Sequence, residues 1–176
     1  MRIGRSGPSL GAVLLLVALV AIGVRGCEEG GGDRDAEGGL GEQARAEVVD
    51  VVDGDTIEVS LDGEIEDVRY IGVDTPESVT PGEPVECFGE AAGRENERLV
   101  EGETVRLVFD AERRDRYGRL LAYVHVGDVF VNGELVAGGF ARTLEIEPNT
   151  SQAERLGRLE TAAGREGRGL WAACEP

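Results

Sequence analysis

The chain has 176 residues, 41% of them hydrophobic, and a formal net charge of −17 at pH 7 without a single lysine. That length and apolar content suffice for one ordinary domain with a core, plus additional segments. One histidine and three scattered cysteines make a zinc site implausible. The acidity weakens a polyanion-binding reading without removing it, because charges are screened beyond about 8 Å at physiological salt.

Residues 1–27 carry Arg2, Arg5 and Arg25, no acid, and an uncharged run from Ser6 to Val24 centred on GAVLLLVALVAIGV. This pattern predicts an export signal. Its apolar heart is shorter than the roughly 20 residues of a spanning helix, which favours a signal peptide over an uncleaved anchor. The VRGC that follows resembles a lipobox with Cys27 as the lipidated residue, although Arg25 departs from the small residue usual there. If Cys27 carries lipid, Cys87 and Cys174 remain as a pair in an exported protein. A disulfide between them is expected, with two buried free thiols as the alternative.

Residues 28–46, rich in glycine and acid with a single leucine, predict a flexible tether between membrane and domain. The domain is expected over 47–174. Its first part alternates β-branched runs with DGD and LDGE, which predicts three antiparallel strands at about 47–52, 55–61 and 65–73, with Asp62-Gly63 in a hairpin turn. Pro76, Pro81 and Pro84 then enforce a loop.

In CFGEAAGRENERLVEG, the positions Phe88, Ala91, Ala92, Glu95 and Leu99 predict a helix stopped at Gly102. ETVRLVFD and RLLAYVHV read as two further strands around the charged AERRDRYG, and VNGELVAGGFA as a short helix from about Asn132. A last helix opens at NTSQAE, where Ser151 and Glu154 have capping-box spacing, with Leu156, Leu159 and Ala163 on its inner face. The pattern predicts an α+β domain: a five-stranded OB-fold β-barrel with about three helices.

DGDT at 53–56 and DTPE at 74–77 fall on neighbouring strand ends in this reading, so Asp55 and Asp74 are expected to face one another. Two carboxylates with backbone oxygens and waters form a hard-oxygen site suited to calcium, with Glu77 beside it. An EF-hand is ruled out by Ile57 and Glu58 at positions that need a ligand and a glycine. Arg69 on the third strand and Arg119 at the start of the fifth would flank the acids. Guanidiniums present paired donors to phosphate oxygens, so the set fits a phosphodiester, with Glu77 as candidate base for water.

Singly, each piece has a plainer reading. DGD makes turns, Glu77 is a loop acid, Arg69 has Glu66 and Asp67 nearby, and Arg119 belongs to a charge run with Arg113, Arg114 and Arg116. Their joint occurrence reverses that weighting. His125 and Trp171 read as packing residues.

From about Glu47 to Trp171 the chain resembles the staphylococcal nuclease (thermonuclease) family, through VVDGDTIEV, VRYIGVDTPE, FGEAA, DRYGRLLAYV, VNGELVAGGFAR, EPN and GLW in order. The resemblance implies calcium held by Asp55, Asp74 and the Thr75 main chain, Glu77 as general base, and Arg69 and Arg119 clamping the scissile phosphate. It also implies Tyr117 near a terminal phosphate with Arg116 as its basic neighbour. DNA or RNA would be cut to products ending in 3′-phosphate. Leu144 and Ile146 stand where two base-flanking tyrosines are expected, and the acidic SVTPGEPVE replaces a basic loop. The implied protein is an exported nuclease, lipid-anchored at the outer face of the cell membrane or secreted. The alternatives are a non-catalytic OB-fold nucleic-acid-binding module and, more weakly, a domain that binds calcium structurally.

Overall fold

A computed structural model of the chain describes residues 41–78 and 85–174. The export signal, Cys27 and residues 28–40 of the tether lie outside the described residues, as do Pro81, Pro84 and most of the acidic loop that contains them. Among the described residues no helix is long and apolar enough to cross a membrane.

Strand β1 (Gln43–Val51) begins four residues before the expected boundary, so residues 43–46 belong to the barrel and not to the tether. The reason is local alternation: Ala46 is buried and Ala44 partly so, while Gln43, Arg45 and Glu47 face outward, and Gln43 to Glu47 pair with the strand at Thr104–Val108. Strands β2 (Thr56–Leu61) and β3 (Glu64–Tyr70) form the expected hairpin. Asp62 (φ 53°) and Gly63 (φ 88°) are both left-handed at its turn, as a two-residue turn of the primed type requires.

The third strand is shorter than expected. Gly72, at φ 78°, turns the chain after Tyr70, and Val73–Asp74 starts a separate two-residue strand, β4. Helix α1 (Gly89–Val100) follows, then β5 (Thr104–Val108), β6 (Leu120–Val126), β7 (Val129–Phe130), α2 (Val131–Gly138), β8 (Arg142–Thr143), α3 (Ala153–Glu166) and the single turn α4 (Leu170–Ala173). β4 pairs with β8. The main sheet runs β3-β2-β1-β5-β6-β7, and a parallel pairing of β3 with β6 closes it into a five-stranded OB barrel of the expected α+β class.

Inside the barrel lie Ile57, Val59, Val68, Val105, Leu107, Leu120, Ala122 and Val124, all at most 1% exposed. Leu135 and Val136 of α2 and Leu156 of α3 extend this core. Closing a sheet removes its edges, and burial of this apolar surface is the main stabilising term. Helix α1 buries Gly89, Ala92, Asn96 and Val100, a stripe offset by one position from the expected face. The capping box at α3 does not form: Gln152 occupies the cap position without a side-chain bond, because the Ser151 N–H donates to Asp110 instead.

Candidate active site

The DGDT turn ties itself before it ties anything else. The Asp55 N–H donates to the Asp53 carboxylate (2.9 Å), and the Val52 N–H to the Thr56 carbonyl (3.0 Å). Asn96 on α1 holds the turn from the core side: its amide donates to the Asp53 carbonyl (2.8 Å) and accepts the Tyr70 hydroxyl (2.9 Å). Burial pushes the Tyr70 hydroxyl well above the usual phenol range, so it remains a donor. The result aims the Asp55 carboxylate inward, 5% exposed.

Both Asp55 oxygens are occupied. Oδ2 accepts the Thr75 N–H (2.8 Å) and the Thr75 hydroxyl (3.0 Å), while Oδ1 lies 3.0 Å from an Arg69 guanidinium nitrogen and accepts the Thr56 hydroxyl at 3.2 Å. The β2–β3 register explains the arginine, since Thr56 sits opposite Arg69. Gly54 explains the threonine: a Cβ there would stand 2.7 Å from the Thr75 side chain. Burial raises the Asp55 carboxyl to about 6, against the pull of Arg69.

Arg69 also donates to the Val73 carbonyl (2.9 Å) and to Asp74 Oδ1 (3.1 Å), whose side chain is 56% exposed. One guanidinium therefore joins the two aspartates, and neither Glu66 nor Asp67 is its partner. Glu66 pairs with Arg114 instead, whose hydrogen bonds hold its carboxyl below the usual range. Arg113 pairs with Glu42.

Arg119 is fixed by Asp115, which accepts the Arg119 N–H (3.0 Å), its Nε (2.8 Å) and the Tyr117 N–H (2.9 Å). Burial opposes ionisation of Asp115, but these donors outweigh it and lower the carboxyl. The Arg116 guanidinium lies over the Tyr117 ring, 4.7 Å from its centroid, and donates to its hydroxyl.

Glu77 is gripped through its backbone. Its N–H donates to the Glu86 carboxylate (3.0 Å) and its carbonyl accepts the Glu86 N–H (2.8 Å), while a Cβ on Gly89 would lie 2.5 Å from that carbonyl. The Glu77 carboxylate accepts the Ser78 N–H at 2.8 Å. Cys87, next to this grip, is disulfide-bonded to Cys174.

Asp55, Arg69, Asp74, Thr75, Glu77 and Arg119 line one cavity of about 150 Å³. A larger one, about 510 Å³, shares Arg69 and Arg119 and is walled by Arg116, Tyr117, Leu121, Leu144 and Ile146. Asp115, Asn96 and Glu86 were missed by sequence reasoning; only Asp115, four residues before Arg119, had a local spacing that would have revealed it.

Among the described residues no three histidine, cysteine or acidic side chains converge to enclose an ion. Two carboxylates sharing one cationic partner beside the Thr75 main chain nevertheless form a hard-oxygen donor set, which fits calcium completed by waters.

The fold and cleft define an OB-barrel protein that gathers carboxylates and two arginines on one side of its barrel. The family model described as "Staphylococcal nuclease homologue" matches residues 67–173. The chain is 34% identical over 161 residues to a thermonuclease of Staphylococcus hyicus, covering 92% of this chain and 95% of that one. It is 40% identical over 121 residues to a thermonuclease of Staphylococcus intermedius, covering 69% and 72%. A prophage-derived endonuclease of Bacillus subtilis strain 168 is 42% identical over 132 residues, 71% of this chain but 45% of that one. The chain belongs to the staphylococcal nuclease family.

Proposed function

We propose that this chain is an exported, calcium-dependent nuclease that hydrolyses phosphodiester bonds of DNA, with RNA as a second candidate substrate, to 3′-phosphate products. The observation that carries the reading is the single small cavity lined by Asp55, Asp74, Glu77, Arg69 and Arg119. The thermonuclease and endonuclease names of its relatives support phosphodiester hydrolysis.

Asp55, Asp74 and the Thr75 main chain would hold the calcium. When bound, it would supply positive charge to the phosphate oxygens and order a water. Glu77 takes a proton from that water, with its backbone anchored by Glu86 so that the carboxylate stays beside the phosphate. Attack at phosphorus breaks the bond to the 5′ oxygen, which leaves and takes a proton from solvent, and the phosphate remains on the 3′ side. Arg69 and Arg119 present N–H pairs to the oxygens on which charge accumulates, and Asp115 fixes the orientation of the second. Arg116 and Tyr117 bind the neighbouring phosphate, and the aliphatic wall of Leu144 and Ile146 receives a base without aromatic stacking.

The uncharged run from Ser6 to Val24 supports export, and Cys27 supports a lipid anchor at the outer face of the membrane. The test is cleavage of single- and double-stranded DNA and RNA by the purified chain in calcium and in chelator. Calcium-dependent fragments ending in 3′-phosphate are expected. Binding without cleavage would mean a recognition module instead.

A further inference from the structure

Away from the cleft, three strands bring two arginines and a histidine into register. Arg45 of β1 pairs directly with Arg106 of β5, and Arg106 with His125 of β6. His125 stacks on Phe130 (5.0 Å between centroids), and the Arg155 guanidinium of α3 covers the same ring at 4.5 Å. Arg45 and Arg155 are exposed and Arg106 is half-buried. None of the three forms an ion pair among the described residues, in a chain with 35 acids.

Like charges directly opposite one another on adjacent strands are destabilising. A protein this acidic has carboxylates to spare for neutralising them, yet the nearest along the strand, Glu47, forms no ion pair with them. Burial first, and then the fields of Arg106 and Arg155, lower the His125 imidazole, so the charge of the row comes from its arginines. Such a row is open to an anionic partner from outside the fold.

The geometry points to a second polyanion site on this face, which takes the sugar-phosphate backbone of a nucleic acid strand at a distance from the cleft. His125 lies six positions along the chain from Arg119, about 20 Å of extended strand, with the buried Tyr123 between them. That distance equals the rise of about six nucleotides along one strand of B-form DNA. The row therefore engages long substrates and leaves oligonucleotides of two or three residues untouched. The inference rests on the nuclease reading for its ligand, but not on hydrolysis.

The test measures binding of a fluorescent 20-residue single-stranded DNA and of a trinucleotide, in chelator, across salt concentrations. Two phosphates contacted on a single strand contribute about 1.4 to the slope of log affinity against log salt. Arg45→Gln with Arg106→Gln is expected to remove about that much slope and to weaken 20-mer binding about tenfold at low salt, with trinucleotide binding unchanged. Arg94→Gln with Arg98→Gln, the same charge change on α1, is expected to leave the slope alone. Glu47→Arg, beside the row, is expected to tighten 20-mer binding. An unchanged slope in the first variant, an equal loss on the trinucleotide, or an equal loss in the α1 control overturns the site. Absence of cleavage by the unaltered chain in calcium would instead remove the nuclease reading and leave the binding result standing.

Discussion

Arg69 and the buried Asp55 form an ion pair at 3.0 Å, and the same half-buried guanidinium reaches the exposed Asp74 at 3.1 Å. The arginine thus lies between the two carboxylates assigned to calcium. Removing it leaves the Asp55 charge buried with the Thr75 and Thr56 donors alone. Because Asp55, at about 6, can take up a proton once the arginine is gone, the charge part of the loss at pH 7 is limited to about 1.4 kcal/mol. Arg69→Ala should lose about that stability to urea at pH 7 in chelator, recover part of it with calcium, and lose less at pH 5. Equal losses at both pH values would contradict the pairing.

In the proposed site, proton and calcium would compete for Asp55. Burial pushes its carboxyl up to about 6, so the carboxylate is ionised above that pH and protonated below it. Folded-state stability from the neutral form is fully present below the ordinary value of 3.8 and is lost as pH rises through about 6. Calcium binding has the opposite sign, because the ligand must be deprotonated. Calcium affinity measured by calorimetry should be level above pH 7 and fall toward about tenfold per pH unit below 6. Equal affinity at pH 7 and pH 5 would refute Asp55 as a ligand.

The disulfide between Cys87 and Cys174 adjoins the backbone grip on Glu77 through Glu86. Closing a long loop stabilises by about 2–4 kcal/mol. Reduction, or Cys87→Ser with Cys174→Ser, should lower stability by that amount and reduce kcat more than it changes KM. A loss of stability with kcat intact would separate the disulfide from the site.

Gly54 is needed for space. Gly54→Ala would place a methyl 2.7 Å from the Thr75 side chain and force it off Asp55. The calcium concentration for half-maximal activity should rise at least several-fold, with the far-ultraviolet circular dichroism unchanged. An unaltered calcium requirement would show that the threonine contacts do not shape the site.

The barrel was legible because its signals are local. Alternating β-branched residues, Asp62-Gly63 and the apolar spacing of the helices each follow from the conformations of a few neighbouring residues. The start of β1 was missed because two alanines in an acidic, glycine-rich setting carry little strand propensity, and only pairing with β5 recruits them. The capping box failed for a similar reason, since Asp110, 41 residues away, takes the Ser151 N–H. The DGDT and DTPE pieces marked the site, but Asn96, which holds the turn across 43 residues, read as an ordinary helix position. Its role exists only once Tyr70 and Asp53 are brought to it by the fold.

The most direct measurement is the turnover of Glu77→Gln on single-stranded DNA at saturating calcium. The substitution keeps size and the backbone grip of Glu86 and Gly89, and removes only the ability to take a proton. A general base contributes on the order of 10²–10⁴ in rate, so kcat should fall by that factor with thermal stability preserved. Undiminished turnover in a folded Glu77→Gln protein would contradict the account.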